Sequence, residues 1–354
     1  MMGGAAPSSQ AQPQERWRVP STLLPEGRGQ DVWIADGRFS IVPVDRAETL
    51  PGRFALPGLV DAHAHVALAD WQPVDAPRAA ATLRALGAQG VLLVRDVGAP
   101  HSVTLDIARE ANLPRLIAAG RWLAPRGRFF ESFHDPVQPD ALISAALAEI
   151  ARGATWIKVI ADWATDELSY APDSLQGLVE AVHRAGARVA AHVQWTGVRD
   201  VVATGVDSIE HGCSLDAGTI DVMAARGVAW TPTLTAFNQP LRADASPERR
   251  QRQRDLLDNY RALLAPAAAR GVTILAGTDT AGTLVDEIRH LIAFGLTPVQ
   301  ALRAATTDAR AFLGVPSIGA GAPADVVTFE EDPRTDPEAL SRPAAVVLGG
   351  VRIA

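Results

Sequence analysis

Pro57-Gly-Leu-Val-Asp61-Ala-His63-Ala-His65-Val66 is the stretch on which the reading of this chain turns. Ahead of it, from about Arg16 to Ala55, short strands and turns alternate; residues 31–35, an Asp36-Gly37 pair and residues 38–42 read as a β-hairpin. Behind it, apolar runs alternate with alanine-rich amphipathic segments. The strand candidates are 59–66, 90–97, 115–120, 156–160, 188–193, 208–212, 229–234 and 273–278. The helix candidates between them include 76–88, 140–151, 174–185 and 216–226. Strand runs that are apolar on both faces suit parallel strands covered by helices. About eight such βα units over roughly 250 residues predict an α/β fold, a (β/α)8 TIM barrel. An open doubly wound sheet is the runner-up. It would place a glycine-rich phosphate loop after its first strand, and none stands there.

Strand character returns at 325–329 and 345–348, and again at 351–353 after Gly349-Gly350. The sequence thus predicts a disordered arm at 1–15, a small β-sandwich domain built from 16–56 and 317–354, and a catalytic barrel over 57–316. Composition narrows the function classes. Of 354 residues, 47% are hydrophobic and 21% charged, which excludes disorder over most of the chain. A net charge of -7 argues against a protein that neutralises nucleic-acid phosphates. The lone Cys213 excludes an intrachain disulfide framework and any zinc site built from several thiolates. No run reaches the ~18 apolar residues of a membrane span, and the start of the chain lacks the basic and apolar regions of a secretory signal. A cytoplasmic enzyme acting on a small molecule, without nucleic acid or membrane, is the expectation; a homo-oligomer is left open.

The chemistry sits at strand ends. Strict alternation puts Asp61, His63 and His65 on one face of the first barrel strand, and two imidazoles two residues apart can converge on one metal ion. Lys158 lies in the middle of an apolar run, where a lone ammonium is costly. The bland reading is a buried salt bridge; the sharper one is a lysine carbamate, an anion able to bridge two metals. His192, His211 and Asp279 end or follow three further strands. Active sites of such barrels form at the C-terminal ends of the strands. Six residues of these types there point to a centre for zinc, manganese or a similar divalent ion.

With these residues in hand, the sequence resembles the amidohydrolase superfamily, and within it the imidazolonepropionase-like and prolidase-like hydrolases. The matching motifs are Pro57 through His65, Trp156-Ile-Lys158-Val, Ala191-His192, Ile209-Glu-His211-Gly, Gly277-Thr-Asp279, and the closing segments 297–308 and 321–325. The resemblance implies a binuclear centre; two Zn2+ are the expected pair, with Mn2+ or another divalent ion as the alternative. It implies that His63 and His65 bind the more buried metal with Asp279, that carboxylated Lys158 bridges, and that His192 and His211 hold the second metal. Asp279 and His211 are then the catalytic pair. The expected reaction is hydrolysis of an amide, such as an N-acyl amino acid, dipeptide or cyclic amide, or of an ester.

Rival readings remain in view. A deaminase of the superfamily would carry a glutamate three residues after His192, where Trp195 stands; a lactonase or esterase would use the same centre. A scaffold protein would have no reason to keep six metal-ligand types at strand ends. Aromatic residues after strands, among them Trp71, Trp122, Phe129, Phe130, Phe133, Trp163 and Trp195, predict a bulky apolar group beside the scissile carbonyl. Phe130, His134, Trp163 and Trp195 are candidate substrate contacts, with Arg95, Arg126 or Arg128 to hold a substrate carboxylate. The basic run Arg249, Arg250, Arg252 and Arg254 reads as a solvated helix face.

Overall fold

The computed structural model describes residues 15–110, 112–163 and 167–354. The expected arm therefore lies, apart from its last residue, outside the described residues. Buried apolar runs form the expected parallel strands. Leu59–Ala64 pairs with Val91–Asp96, which pairs with Arg115–Ala118. A second parallel set runs in chain order through Trp122–Leu123, Trp156–Ile160, Arg188–Val193, Ser208–His211 and Ala229–Thr231. Strands such as Leu59–Ala64, Val91–Asp96 and Trp156–Ile160 are buried on both faces, which is why they read as continuous apolar runs, whereas Arg115–Ala118 alternates.

The expected eighth strand is not a regular one. Residues 273–278 touch both neighbours sparsely: Ile274 bridges Trp230, Leu275 N–H donates to the Trp230 carbonyl, and Ala62 N–H donates to the Ala276 carbonyl. The approach is close enough that a Cβ on Gly277 would stand 2.5 Å from the His63 Cβ, so a side chain there would push the two segments apart. Val60, Ala62, Leu93, Ala190, Ala229 and Leu275 pack into one apolar cluster drawn from four strands and this segment.

Helices lie between the strands because their apolar stripes cover them. Ala76–Ala88 has the expected bounds, with Asp75 capping it by accepting from Arg78 N–H. Ala217–Arg226 is capped likewise by Asp216, and Leu142–Arg152 and Pro172–Arg184 fall close to expectation. Two further sheets are built from the ends of the chain, the first from N-terminal strands alone and the second from both ends. One joins Arg38–Ser40, Val32–Ala35, Trp17–Val19 and Glu48–Thr49; the other joins C-terminal strands such as Val326–Phe329 and Ala345–Leu348 to Phe54–Pro57. They share a core that includes Val19, Ile34, Phe39, Val326 and Val347. The predicted hairpin is present, with Ala35 opposite Arg38 and positive φ at Asp36 and Gly37. No helix among the described residues is long and apolar enough to cross a membrane.

Candidate metal centre

The first strand departs from strict alternation. Val94 pairs with Asp61 but Asp96 with Ala64, so an extra residue is inserted between. Asp61 is thereby separated from the two histidines expected on its face. Its carboxylate accepts from Thr278 Oγ1 at 2.7 Å and from the backbone N–H groups of Thr278 and His63. His63 and His65 instead converge on Asp279, whose Oδ1 lies 3.4 Å from His63 Nε2 and 3.2 Å from His65 Nε2. Asp279 is fixed in turn, its N–H donating to the His63 carbonyl at 2.8 Å.

The outer nitrogens of the histidines are already engaged. His63 Nδ1 meets Glu210 Oε2 at 2.7 Å, His65 Nδ1 meets the Gly98 carbonyl at 2.9 Å, and His211 Nδ1 meets Thr233 Oγ1 at 2.8 Å. A carbonyl and a carboxylate only accept, so the Nδ1 atoms of His63 and His65 carry protons, which leaves each Nε2 as the atom available to a metal. Burial alone would raise the Glu210 carboxyl, but Arg95 and His63 hold it well below the usual carboxylate range. Two imidazole nitrogens and a carboxylate oxygen face one another with their ligand atoms all within 4.8 Å, an arrangement whose charge a bound cation would balance. His65 responds to the same charge: burial lowers its pKa, yet Asp279 and Asp96 leave it raised overall.

Lys158, His192 and His211 close the other side. Lys158 Nζ is buried and has no hydrogen-bond partner among the described residues, and burial lowers its pKa to about 8. His192 Nε2 is likewise without a hydrogen-bond partner there. Burial, with His211 and Lys158 nearby, keeps His192 well below its ordinary value; burial, despite Asp279, takes His211 to about 3. Both imidazoles are thus neutral, the state that ligates metal, with ring centroids 4.5 Å apart. The six expected ligands line one cavity of about 390 Å³. These residues fit a divalent metal centre.

The far wall of this cavity is aromatic: Trp71, Trp122, Phe129, Phe130, Phe133 and Trp163. Phe130 packs on Trp163 at 4.8 Å between centroids, and Phe129 on Trp163 at 5.0 Å. Of the expected substrate contacts, Phe130 and Trp163 are there. Arg95 is not, and that expectation is corrected. It is fully buried, donating to the Ala62 carbonyl, Ser208 Oγ and Glu210 Oε1, with its guanidinium 4.5 Å from the Trp156 ring. Arg128 pairs with Glu167 at 3.1 Å, away from the cavity lining. His134 sits behind Phe129 with Nδ1 at the Phe130 carbonyl, and Trp195 faces neighbouring clefts.

Glu210, Thr233 and Asp162 were not singled out by the sequence reading. Asp162 accepts the N–H groups of Gln194, Trp195 and Thr196, fixing the turn after the His192 strand. Glu210 had a signal: it is a charge within a buried strand run, the feature that drew attention to Lys158.

Comparison with known proteins identifies the family. The model of the amidohydrolase family matches residues 54–353. An uncharacterized protein of Mycobacterium tuberculosis is 37% identical over 352 residues, covering 95% of each chain. Ochratoxinase of Aspergillus niger is 30% identical over 221 residues, 57% of this chain and 46% of that protein. The crystal structure of a Xaa-Pro dipeptidase with bound methionine in the active site superimposes with a TM-score of 0.80 at 22% identity, covering 96% of this chain and 99% of that one.

Proposed function

The chain belongs to the amidohydrolase family, and from that premise we propose that it is a metal-dependent hydrolase of amide bonds in small molecules carrying a bulky apolar group. Membership makes it a hydrolase acting on carbon–nitrogen bonds. The relationship to ochratoxinase and the dipeptidase fold supports amides over esters. The observation that carries the metal reading is the convergence of His63, His65 and Asp279 beside a lysine nitrogen with no hydrogen-bond partner among the described residues. In this reading the strands and the segment 273–278 form a closed barrel over 57–316, and 16–56 with 317–354 form a β-sandwich.

His63, His65 and Asp279 would hold one divalent ion, His192 and His211 a second, and Lys158, as a carbamate, would bridge them. Bound there, the ions lower the pKa of water and polarise a carbonyl. The chain's own residues do the rest. Asp279, held well below the ordinary carboxylate range by His63 and His65 against the effect of burial, starts as a base. It takes the proton from the attacking water and returns it to the leaving nitrogen. Glu210 and Thr233 hold His63 and His211 in orientation, and the aromatic wall seats the apolar group while excluding water.

The test is metal analysis beside turnover. Protein reconstituted with zinc and bicarbonate should hold about two metal equivalents and hydrolyse N-acyl amino acids with aromatic side chains. Asp279→Asn should lower kcat about 10²–10⁴-fold, and Lys158→Ala should lose a metal equivalent. Turnover that survives complete chelation, or in Asp279→Asn, would overturn the reading.

A further inference from the structure

The catalytic cavity has a neighbour. Ala236, Phe237 and Gln239 line both it and a second cavity of about 350 Å³, whose other side presents Trp195, Arg249 and Arg252. The two are mechanically joined. Gln253 Nε2 donates to the carbonyls of Phe237 and Gln239 at 2.8 and 2.9 Å, latching the helix Pro247–Ala269 to the shared wall. Phe237 stands edge-on to His211 with centroids 5.5 Å apart.

The basic run expected to be a solvated helix face divides in two. Arg250 donates to the carbonyls of Ala243 and Ala245, and Arg254 to Gln251. Arg249 and Arg252, one helical turn apart, both line the second cavity. Among the described residues no carboxylate lines it, although Arg252 also borders an adjoining cleft with Glu248 and Asp255. The third arginine of the second cavity, Arg242, already pairs with Asp244 at 3.3 Å. Arg252 lies 5.9 Å from the Trp195 ring, and neither it nor Arg249 has a carboxylate partner among the described residues.

We propose that this second cavity is a carboxylate subsite of the catalytic centre: Arg249 and Arg252 hold the anionic far end of the substrate while Trp195 packs on its carbon skeleton. The proposal rests on the hydrolase reading and narrows its substrate class to amides bearing a carboxylate remote from the scissile bond. Guanidinium groups suit that partner because each can donate two parallel hydrogen bonds to a carboxylate.

Calorimetric binding of phenyloctanoate and phenyloctanol to full-length, metal-loaded protein tests this, because neither contains a scissile bond. The wild type should bind the acid about tenfold more tightly than the alcohol, and added salt should shrink that preference. The double substitution Arg249→Gln/Arg252→Gln should bring the ratio close to one, while Arg254→Gln leaves it unchanged. No preference in the wild type, or a preference kept by the double variant because the acid binds the metals instead, overturns the subsite. If the arginines select the acid but no amide is cleaved, the hydrolase reading fails and the subsite stands. If amides are cleaved without the preference, only the subsite fails.

Discussion

The floor and the aromatic wall of the cavity are built on opposite terms. On the floor a chain of directional bonds runs from strand to strand: His63 to Glu210, Glu210 to Arg95, Arg95 to Ser208 and the Ala62 carbonyl. On the wall, Trp71, Phe129, Phe130 and Trp163 stand on segments that follow strands and pack chiefly on one another. Directional bonds across a sheet fix an atom's position closely enough for chemistry; ring packing tolerates exchange of one apolar shape for another. The difference separates what the chain does to a bond from which molecule it accepts.

The largest expected effect breaks the floor. Glu210→Gln leaves the Arg95 charge buried without its carboxylate, which should cost about 3–5 kcal/mol of stability. The amide also confronts His63 Nδ1–H with a donor unless it flips, and either choice leaves one partner unmet. Metal affinity should fall about 10–100-fold, as when a partner behind a ligand is lost. Thermal unfolding and metal titration check both. A variant with wild-type melting and metal binding would show that the floor is not held in this way.

A smaller effect concerns the strut between the two regions. Glu287 accepts from the N–H groups of Leu234 and Thr235, positioning the helix Leu234–Phe237 that brings Phe237 to the cavity. Burial pushes its carboxyl from 4.5 up to about 7 despite those bonds. Between these values the folded chain keeps a proton that the unfolded chain has released. The stability this contributes is complete below about pH 4.5 and is lost as the pH rises through about 7, a change on the order of 3 kcal/mol. Denaturant titrations across that window, compared with Glu287→Gln, should show the slope in the wild type and a flatter profile in the variant. Equal slopes would assign the pH dependence to other groups.

Much of this architecture was legible in the sequence, for a physical reason. Strands buried on both faces must be apolar throughout, so 156–160 and 188–193 announced their own limits, and charges inside such runs marked Lys158. Arg95 also lies inside such a run, but the sequence suggests it only as a holder of a substrate carboxylate, because its partner Glu210 comes from a strand much later in the chain. The insertion beside Asp61 was also illegible: alternation is a rule of regular strands, and nothing local shows an extra residue. The segment 273–278 has strand composition, but its bonds are divided between two neighbours, which only tertiary contact decides.

The smallest expected effect falls on the wall and sharpens the contrast. Trp163 touches Phe129 and Phe130 and stands 5.6 Å from the His192 ring, so it lies where the apolar part of a substrate would meet the floor. Truncating it to alanine removes packing area but no hydrogen bond of the floor. Trp163→Ala should therefore keep metal content and melting close to wild type. Its selectivity for aromatic over small aliphatic N-acyl substrates, read as the ratio of kcat/KM values, should drop by about 1–3 kcal/mol. Phe130→Ala, one ring further out on the same wall, should act in the same direction. A uniform fall for both substrate types would instead mean that the wall helps hold the floor, and the division between the two regions would have to be redrawn.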